Sequence, residues 1–375
     1  MRFLVTGATG FVGGAVTRRL LADGESVSVL VRGTGPEADE LARQGATVHR
    51  GGVGDPNEVA EAAAGAEVII HAAAIATHRA APRALDWVNV AGTENVVNAA
   101  RHVGCARVVH LSCSDVSLAD ADRVHLGEEA YSTVRPFDAH ARSKRLAEEV
   151  ALSASGHGIE VTAIRPAWIW GPGDTTNLPW ICRWGARAGL PLPGGGDNLF
   201  ASTYIGHLVD AILEAAEVTA AVGRTYHVTD NVFVTAREFF GDLSRAVGLP
   251  PPRTGWPYPL ARTLAEATRA RRGLGPWPTD VVRLGRSTQL DVQRSVDDLH
   301  LPAQVDQAAG WVALGEWTRA VGGPPAIASL GRRPPDAASV DLQVAAAGGS
   351  ASGEDRDAPS LSRRRTEMKG PATRR

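Results

Sequence analysis

The chain has 375 residues, enough for one large domain or two with a sizeable core, and it carries a formal charge of -2 with 44% hydrophobic residues. That near-neutral balance argues against nucleic acid or a membrane surface as a partner, and no apolar run approaches the roughly eighteen residues of a membrane span. Cys105, Cys113 and Cys182 are too few and too scattered for a disulfide framework or a zinc site, so no metal is expected. Met1 leads straight into a strand rather than a secretory leader, and a cytoplasmic enzyme is the expectation.

Phe3, Leu4 and Val5 read as a short apolar strand. It turns through Gly7 and Gly10 into an amphipathic helix beginning near Phe11, giving the spacing Gly7-x-x-Gly10-x-x-Gly13. Such a turn aims backbone N–H groups and the positive end of a helix dipole at a pyrophosphate, and a side chain at Gly7 or Gly10 would block the approach. A second strand, Val27–Val31, follows the helix, which is the context a dinucleotide-binding turn requires.

Alternation continues with a helix near Glu37–Gln44, the strand Thr47–Arg50, the helix Pro56–Ala64, the strand Glu67–His71 and the helix Arg83–Val103. The strand Arg107–Leu111, a helix from about Pro136 to Ser155 and the strand Ile159–Arg165 complete the series. This predicts an α/β class, a Rossmann-type doubly wound parallel sheet of six strands over residues 1–165, with ligand at the carboxyl ends of the strands. Residues 166–321 read as a smaller, mostly helical substrate-binding portion with interleaved elements, its helices at about His207–Val218, Ala236–Val247 and Pro259–Arg271. Residues 322–375 have few large apolar side chains to offset their ordering entropy and read as a disordered tail, in which Arg363–Arg365 is either a solvated run or a basic address.

Several landmarks stand in order: Thr6-Gly-Ala-Thr-Gly-Phe-Val-Gly13, His71-Ala-Ala-Ala74, Asn89-Val-Ala-Gly-Thr-Glu-Asn95, Ser112 after a strand, Ser143-Lys144 on a helix, and Arg165-Pro166 followed by Ile169-Trp-Gly-Pro-Gly173. Farther on come Gly194–Asn198, Ser202–Ile205, Tyr226–Asp230 and Trp256–Pro259. Together they resemble the extended short-chain dehydrogenase/reductases of the NAD-dependent epimerase/dehydratase superfamily, and within them the branch that looks like 3β-hydroxysteroid dehydrogenases and 2-alkyl-3-oxoalkanoate reductases. The resemblance runs from Met1 to about Trp317. It implies an NAD(P)-dependent oxidoreductase acting on a small hydrophobic ketone or secondary alcohol, and a homodimer paired through the helices bearing Asn89 and Lys144. Cofactor contacts are implied at Gly7, Thr9, Gly10, Phe11, Val12 and Gly13, at His71, Ala72 and Ala73, and at Lys144 and Pro166. Asn89 is implied to be structural or catalytic, against a plain reading as a solvated helix residue.

Roughly twenty residues past the glycines, where a carboxylate serves NAD and an arginine can hold a 2′-phosphate, the chain has Arg32. NADP(H) is therefore favoured over NAD(H). Relatives commonly carry Gly-Asp-Leu before the third helix to hold the adenine, whereas this chain reads Gly51-Gly52-Val53 ahead of Asp55.

Reduction of a ketone creates an alkoxide, so a proton donor must lie within hydrogen-bond reach. The family uses a tyrosine four residues before the lysine and a Ser or Thr at the end of the fifth strand. Here the tyrosine position is His140, and Cys113 stands where the hydroxyl is expected, flanked by Ser112 and Ser114. His140 and Lys144 share a helix face, and the lysine charge would push the imidazole toward neutral. Cys113 is a weak hydrogen-bond donor as a thiol and a nucleophile when ionised; a shift of one residue would bring in Ser114 instead. Trp168, Trp170, Trp180 and Trp184 either wall an apolar substrate cleft or pack a core. The competing reading keeps the fold without redox chemistry: a lyase, isomerase or cyclase with His140 as base, or a nucleotide-binding protein without turnover.

Overall fold

The structure is a computed structural model that describes residues 1–269 and 277–330. In chain order its first half runs β1 (Arg2–Thr6), α1 (Phe11–Ala22), β2 (Ser26–Val31), α2 (Pro36–Arg43), β3 (Thr47–Arg50), α3 (Pro56–Ala63), β4 (Val68–His71) and α4 (Pro82–Leu85). A π-helical stretch over Asp86–Ala91 joins α4 to α5 (Gly92–His102), and then come β5 (Arg107–Leu111), β6 (Arg123–Leu126), α6 (Ala139–Ser153) and β7 (Glu160–Pro166). The second half has β8 (Trp168–Trp170), α7 (Leu178–Gly185), β9 (Pro191–Leu192), β10 (Ser202–Tyr204), α8 (Ile205–Glu217), β11 (Thr225–Val228) and α9 (Ala236–Val247). It closes with β12 (Arg253–Thr254), α10 (Tyr258–Arg269), α11 (Pro278–Gly285), β13 (Thr288–Leu290), α12 (Gln293–Leu299), α13 (Ala308–Ala320) and α14 (Gly323–Leu330).

Seven parallel strands make the main sheet in the order β11-β7-β5-β4-β1-β2-β3. The central strands are apolar on both faces, as a parallel sheet covered by helices requires: Phe3, Leu4, Val5, Ile69, Ile70, Val108 and Val109 are all buried. Strand order reverses between β1 and β4, which opens a crevice at their carboxyl ends.

The seventh strand, β11, comes from beyond Pro166. Its crossover helix α8 buries Ile205, Leu208, Val209, Ala211 and Ile212 in the same core as Val5, Val16 and Ile70. The expected division at residues 165 and 166 therefore cuts through the sheet layer, because α8, which packs on β5 and β7, arrives later in the chain. A separate core forms around Trp170, Phe200, Phe239, Phe240 and Leu314. The tail also begins later than expected: Gly323–Leu330 is a helix with Ile327 fully buried in that second core, while residues 331–375, including Arg363–Arg365, lie outside the described residues. Among the described residues no helix is long and apolar enough to cross a membrane.

Candidate active site

The glycine turn sits at the carboxyl end of β1, and two of its glycines are dictated by contact. Gly7 has φ +73, and a Cβ there would lie 2.7 Å from the Ala73 backbone nitrogen. At Gly13 a Cβ would meet the Gly7 carbonyl oxygen at 2.4 Å, so this glycine lets helix and strand pack closely. Gly10 caps α1 without a side chain, leaving the leading N–H groups of the helix directed into the turn beside Thr9, Phe11 and Val12.

Across the crevice, the loop of Ala72 and Ala73 follows β4. The His71 side chain is buried with both ring nitrogens engaged within the protein: its Nδ1 is 2.8 Å from Thr6 Oγ1 and its Nε2 is 3.0 Å from Thr93 Oγ1. Thr6 Oγ1 in turn accepts from the Ala73 N–H at 3.2 Å, so His71 acts by fixing the loop. Burial, with Lys144 nearby, pushes this imidazole down to about 3. At the outer end, Arg32 follows β2 and its side chain runs along Gly52, whose Cβ would lie 3.6 Å from Arg32 Cγ. Glu58 accepts from the Gly52 N–H at 2.7 Å, bracing the glycine pair that departs from the family pattern.

The chemical end of the crevice is assembled by β5, α6 and α11. Helix α6 is capped by Asp138, whose carboxylate accepts from the Ala141 N–H at 2.8 Å, and it is pinned to β7 by a fully buried Arg165–Glu148 ion pair. His140 and Lys144 are each 5% exposed and one turn apart. Lys144 Nζ donates to the Leu111 carbonyl at the end of β5. Beyond Leu111, Cys113 is extended and a 3-10 turn over Ser114–Ser117 carries Asp115 inward. The ligand atoms of Cys113, Asp115 and His140 lie within 4.8 Å of one another.

Of the three candidates after β5, the chain brings Cys113 to His140. Ser112 is buried with its Oγ lacking a hydrogen-bond partner, and the Ser114 carbonyl accepts from Ser117 Oγ at 2.9 Å. Burial, and then the Asp115 charge, push the Cys113 thiol up to about 12, the direction that favours the hydrogen-bonding thiol over the thiolate. His140 is pushed down to about 4, chiefly by burial; Asp115 opposes this, Arg283 assists, and Lys144 contributes less than either. The ring is neutral near pH 7, for a reason other than the lysine the sequence suggested.

Two partners in this cluster escaped the sequence reading. Asp115 is held as a carboxylate by Arg283 of α11, which forms an ion pair with it, and lies 3.9 Å from His140 Nδ1. Asp115 was visible as a carboxylate two residues past Cys113; nothing local flags Arg283. Helix α11 docks here through Thr279, which donates to Asp138 at 2.7 Å, and through Asp280, which pairs with His78 and Arg79. Trp277 packs against His78 with ring centres 5.3 Å apart. Asn89 is buried in the π-helical stretch, accepting from the Ile75 N–H at 2.8 Å and donating to Ser143 Oγ at 3.0 Å, so the solvated reading of Asn89 is corrected.

The tryptophans do not gather into one wall. Trp170 is 1% exposed, stacks on Trp311 at 3.6 Å and donates to Asp230 at 2.8 Å; it is a core residue, because its ring is the centre of the second core. Trp168 and Trp180 are half-buried against that core, and Trp184 is 49% exposed.

Residues 4–260 match the 3-beta hydroxysteroid dehydrogenase/isomerase family. The chain belongs to that family. It is 30% identical over 321 residues to a 4-hydroxy-2-methyl-3-oxo-4-farnesyl-3,4-dihydroquinoline-1-oxide ketoreductase of Stigmatella aurantiaca, covering 84% of this chain and 96% of the relative. It is 33% identical over 256 residues to a 2-alkyl-3-oxoalkanoate reductase of Stenotrophomonas maltophilia, covering 67% and 77%. Among solved structures it resembles a dTDP-glucose 4,6-dehydratase from Streptomyces venezuelae with NAD bound, with a TM-score of 0.67, 26% identity and coverage of 85% and 97%. As a member of the 3-beta hydroxysteroid dehydrogenase/isomerase family, this protein is a nicotinamide-dinucleotide-dependent oxidoreductase of the extended short-chain type.

Proposed function

We propose that the protein uses NADP(H) to interconvert a small hydrophobic ketone and its secondary alcohol, with His140, Lys144 and Cys113 at the reacting oxygen. The observation that carries this reading is the convergence of those three side chains at the carboxyl end of β5. Relatives named for ketone reduction on substrates with apolar chains support the substrate class.

The Gly7–Gly13 turn, the Ala72–Ala73 loop and Pro166 would hold the dinucleotide, whose chemistry when bound is hydride transfer. Lys144 holds the ribose next to the reacting ring. The neutral imidazole of His140 would donate a hydrogen bond to the carbonyl oxygen and support the charge that develops there, the proton that completes the alcohol being taken from water. The Cys113 thiol donates a second, weaker hydrogen bond. Arg32 pairs with the 2′-phosphate. Helix α11 brings Trp277 to this end as apolar surface for the substrate, a role that Trp170 cannot fill from the core. Two copies pair through α5 and α6, which sedimentation checks.

The test is NADPH oxidation at 340 nm across a panel of apolar ketones. His140→Ala is expected to lower kcat by roughly 100-fold, the scale of a lost acid/base group, with NADPH affinity retained. No turnover across the panel by a chain that binds NADPH tightly would sink the reaction. Arg32→Ala is expected to shift the preference toward NADH by about tenfold, the scale of one charge-assisted contact; equal loss with both cofactors would remove Arg32 from the phosphate.

A further inference from the structure

Beside His140 stands an ion pair that the reaction described above does not use. Arg283 of α11 takes both oxygens of Asp115: its Nε donates to Oδ1 at 3.2 Å and its Nη2 donates to Oδ2. This two-pronged geometry holds a carboxylate firmly. His140 Nδ1 lies 3.9 Å from the same Oδ2, beyond the roughly 3.2 Å at which an N–H···O bond ends. A carboxylate this close to a ring nitrogen commonly accepts its proton, as in a catalytic triad, but here Arg283 draws it aside. We propose that Arg283 is a positioning residue: by occupying Asp115 it keeps that carboxylate from capturing a proton on His140 Nδ1, and the ring carries its proton on Nε2, the nitrogen that donates to the substrate oxygen. The inference rests on the reading of His140 at the reacting oxygen and gives Arg283 and Asp115 a part in it.

The surroundings of the ring favour that tautomer. Nδ1 is buried with no hydrogen-bond partner among the described residues, whereas Nε2 of the same ring is not isolated in this way. A buried N–H without an acceptor is the costlier orphan, so the single proton of a neutral ring belongs on Nε2. The other charged groups facing the ring are committed elsewhere. Asp138, the cap of α6, accepts from the Ala141 N–H and from Thr279, and Lys144 donates to the Leu111 carbonyl. Arg123 of β6 adds positive charge beside Asp115, and Cys113 presents its thiol. Burial does most to keep the ring neutral; Asp115 pulls toward the charged form, and Arg283 opposes it.

Without Arg283, a shift on the order of 1 Å would seat Asp115 on Nδ1 as an acceptor and move the ring proton there. Nε2 would then meet the carbonyl oxygen with a lone pair in place of a proton. The unopposed carboxylate would also raise the ring's affinity for a second proton, and the imidazolium carries a proton on Nε2 again. Reduction by an Arg283 variant should therefore recover as pH falls.

Native full-length protein with isotope-labelled histidine reads the tautomer directly in proton–nitrogen NMR correlations, the His140 signals being identified by their loss in His140→Ala. The native ring is expected to be protonated at Nε2, and Arg283→Leu to move that proton to Nδ1. In NADPH oxidation with an apolar ketone at pH 8, Arg283→Leu should lower kcat by about 100-fold, the scale of one lost oxyanion donor, with the loss shrinking toward pH 6. Combining Asp115→Asn with Arg283→Leu should restore most of the activity at pH 8, because an amide can donate to Nδ1 and leave the proton on Nε2. A native ring protonated at Nδ1 overturns the proposal. So does a loss in Arg283→Leu that is equal at pH 6 and pH 8 and persists in the double variant, the pattern of a merely structural arm. Circular dichroism and NADPH titration verify folding; if Arg283→Leu does not fold, the native tautomer decides. Absence of ketone reduction strikes the reductase reading and leaves the tautomer to be read.

Discussion

At the carboxyl end of β1 the working surface is backbone: one tight turn within thirteen consecutive residues, in which Gly7 and Gly13 exist because a Cβ would strike the Ala73 nitrogen or the Gly7 carbonyl. At the carboxyl end of β5 the working surface is side chain. Cys113 and Asp115 come from the strand's exit, His140 and Lys144 from α6, and Arg283 from α11. The first region admits few substitutions, since its function is the path of the chain itself. The second depends on which side chains its elements carry to one point, with α6 held in place by the Arg165–Glu148 pair and the Asp138 cap.

The strongest way to break this contrast is Gly13→Val. With the Cβ facing a carbonyl oxygen at 2.4 Å, we expect NADPH binding to weaken by at least about 100-fold, some 2.7 kcal/mol, measured by fluorescence titration. Binding retained within threefold would show that side-chain contacts hold the cofactor after all.

Arg283→Leu probes the other region. It leaves the Asp115 carboxylate enclosed without its cation, and unfolding in urea is expected to lose up to about 3 kcal/mol, discounted from a fully buried pair because both side chains retain some exposure. A change under 0.5 kcal/mol would mean that α11 merely rests on the site.

Acid should act on the sheet's histidines in a calculable direction. His71 and His227 are pushed by burial from 6.5 to about 3, so between those values the unfolded chain binds more protons than the folded one. Their contribution to stability is complete above pH 6.5 and falls as pH drops toward 3, by about 1.4 kcal/mol per pH unit for each ring within that window. Thermal unfolding followed from pH 7 to pH 4 should therefore show Tm falling, and His71→Asn should make the fall shallower. A Tm independent of pH across that range would contradict the burial.

Most of the fold was legible because it is written in local pattern. Aliphatic runs, turn glycines and helix periodicity placed six strands close to their observed positions. The seventh strand, Thr225–Val228, is only four residues long and lies among helices and loops, so its partner β7 is needed to recognise it. Helix Gly323–Leu330 was missed for a similar reason: composition marks it as tail, and only the second core gives Ile327 somewhere to go. The tryptophans mislead in the opposite sense, since one residue type in one short stretch spans 1% to 49% exposure.

The sequence by itself determined the nucleotide turn, the alternation that forces a parallel sheet, and the identities of His140 and Lys144 one helical turn apart, because each depends on residues close along the chain. Tertiary structure alone decided that Asp115 faces His140, that Arg283 holds Asp115 from 168 positions away, and that burial rather than the neighbouring lysine keeps the imidazole neutral. Proximity across such separations is set by how helices pack on a sheet, and desolvation depends on everything that surrounds a group; neither is encoded in any local stretch.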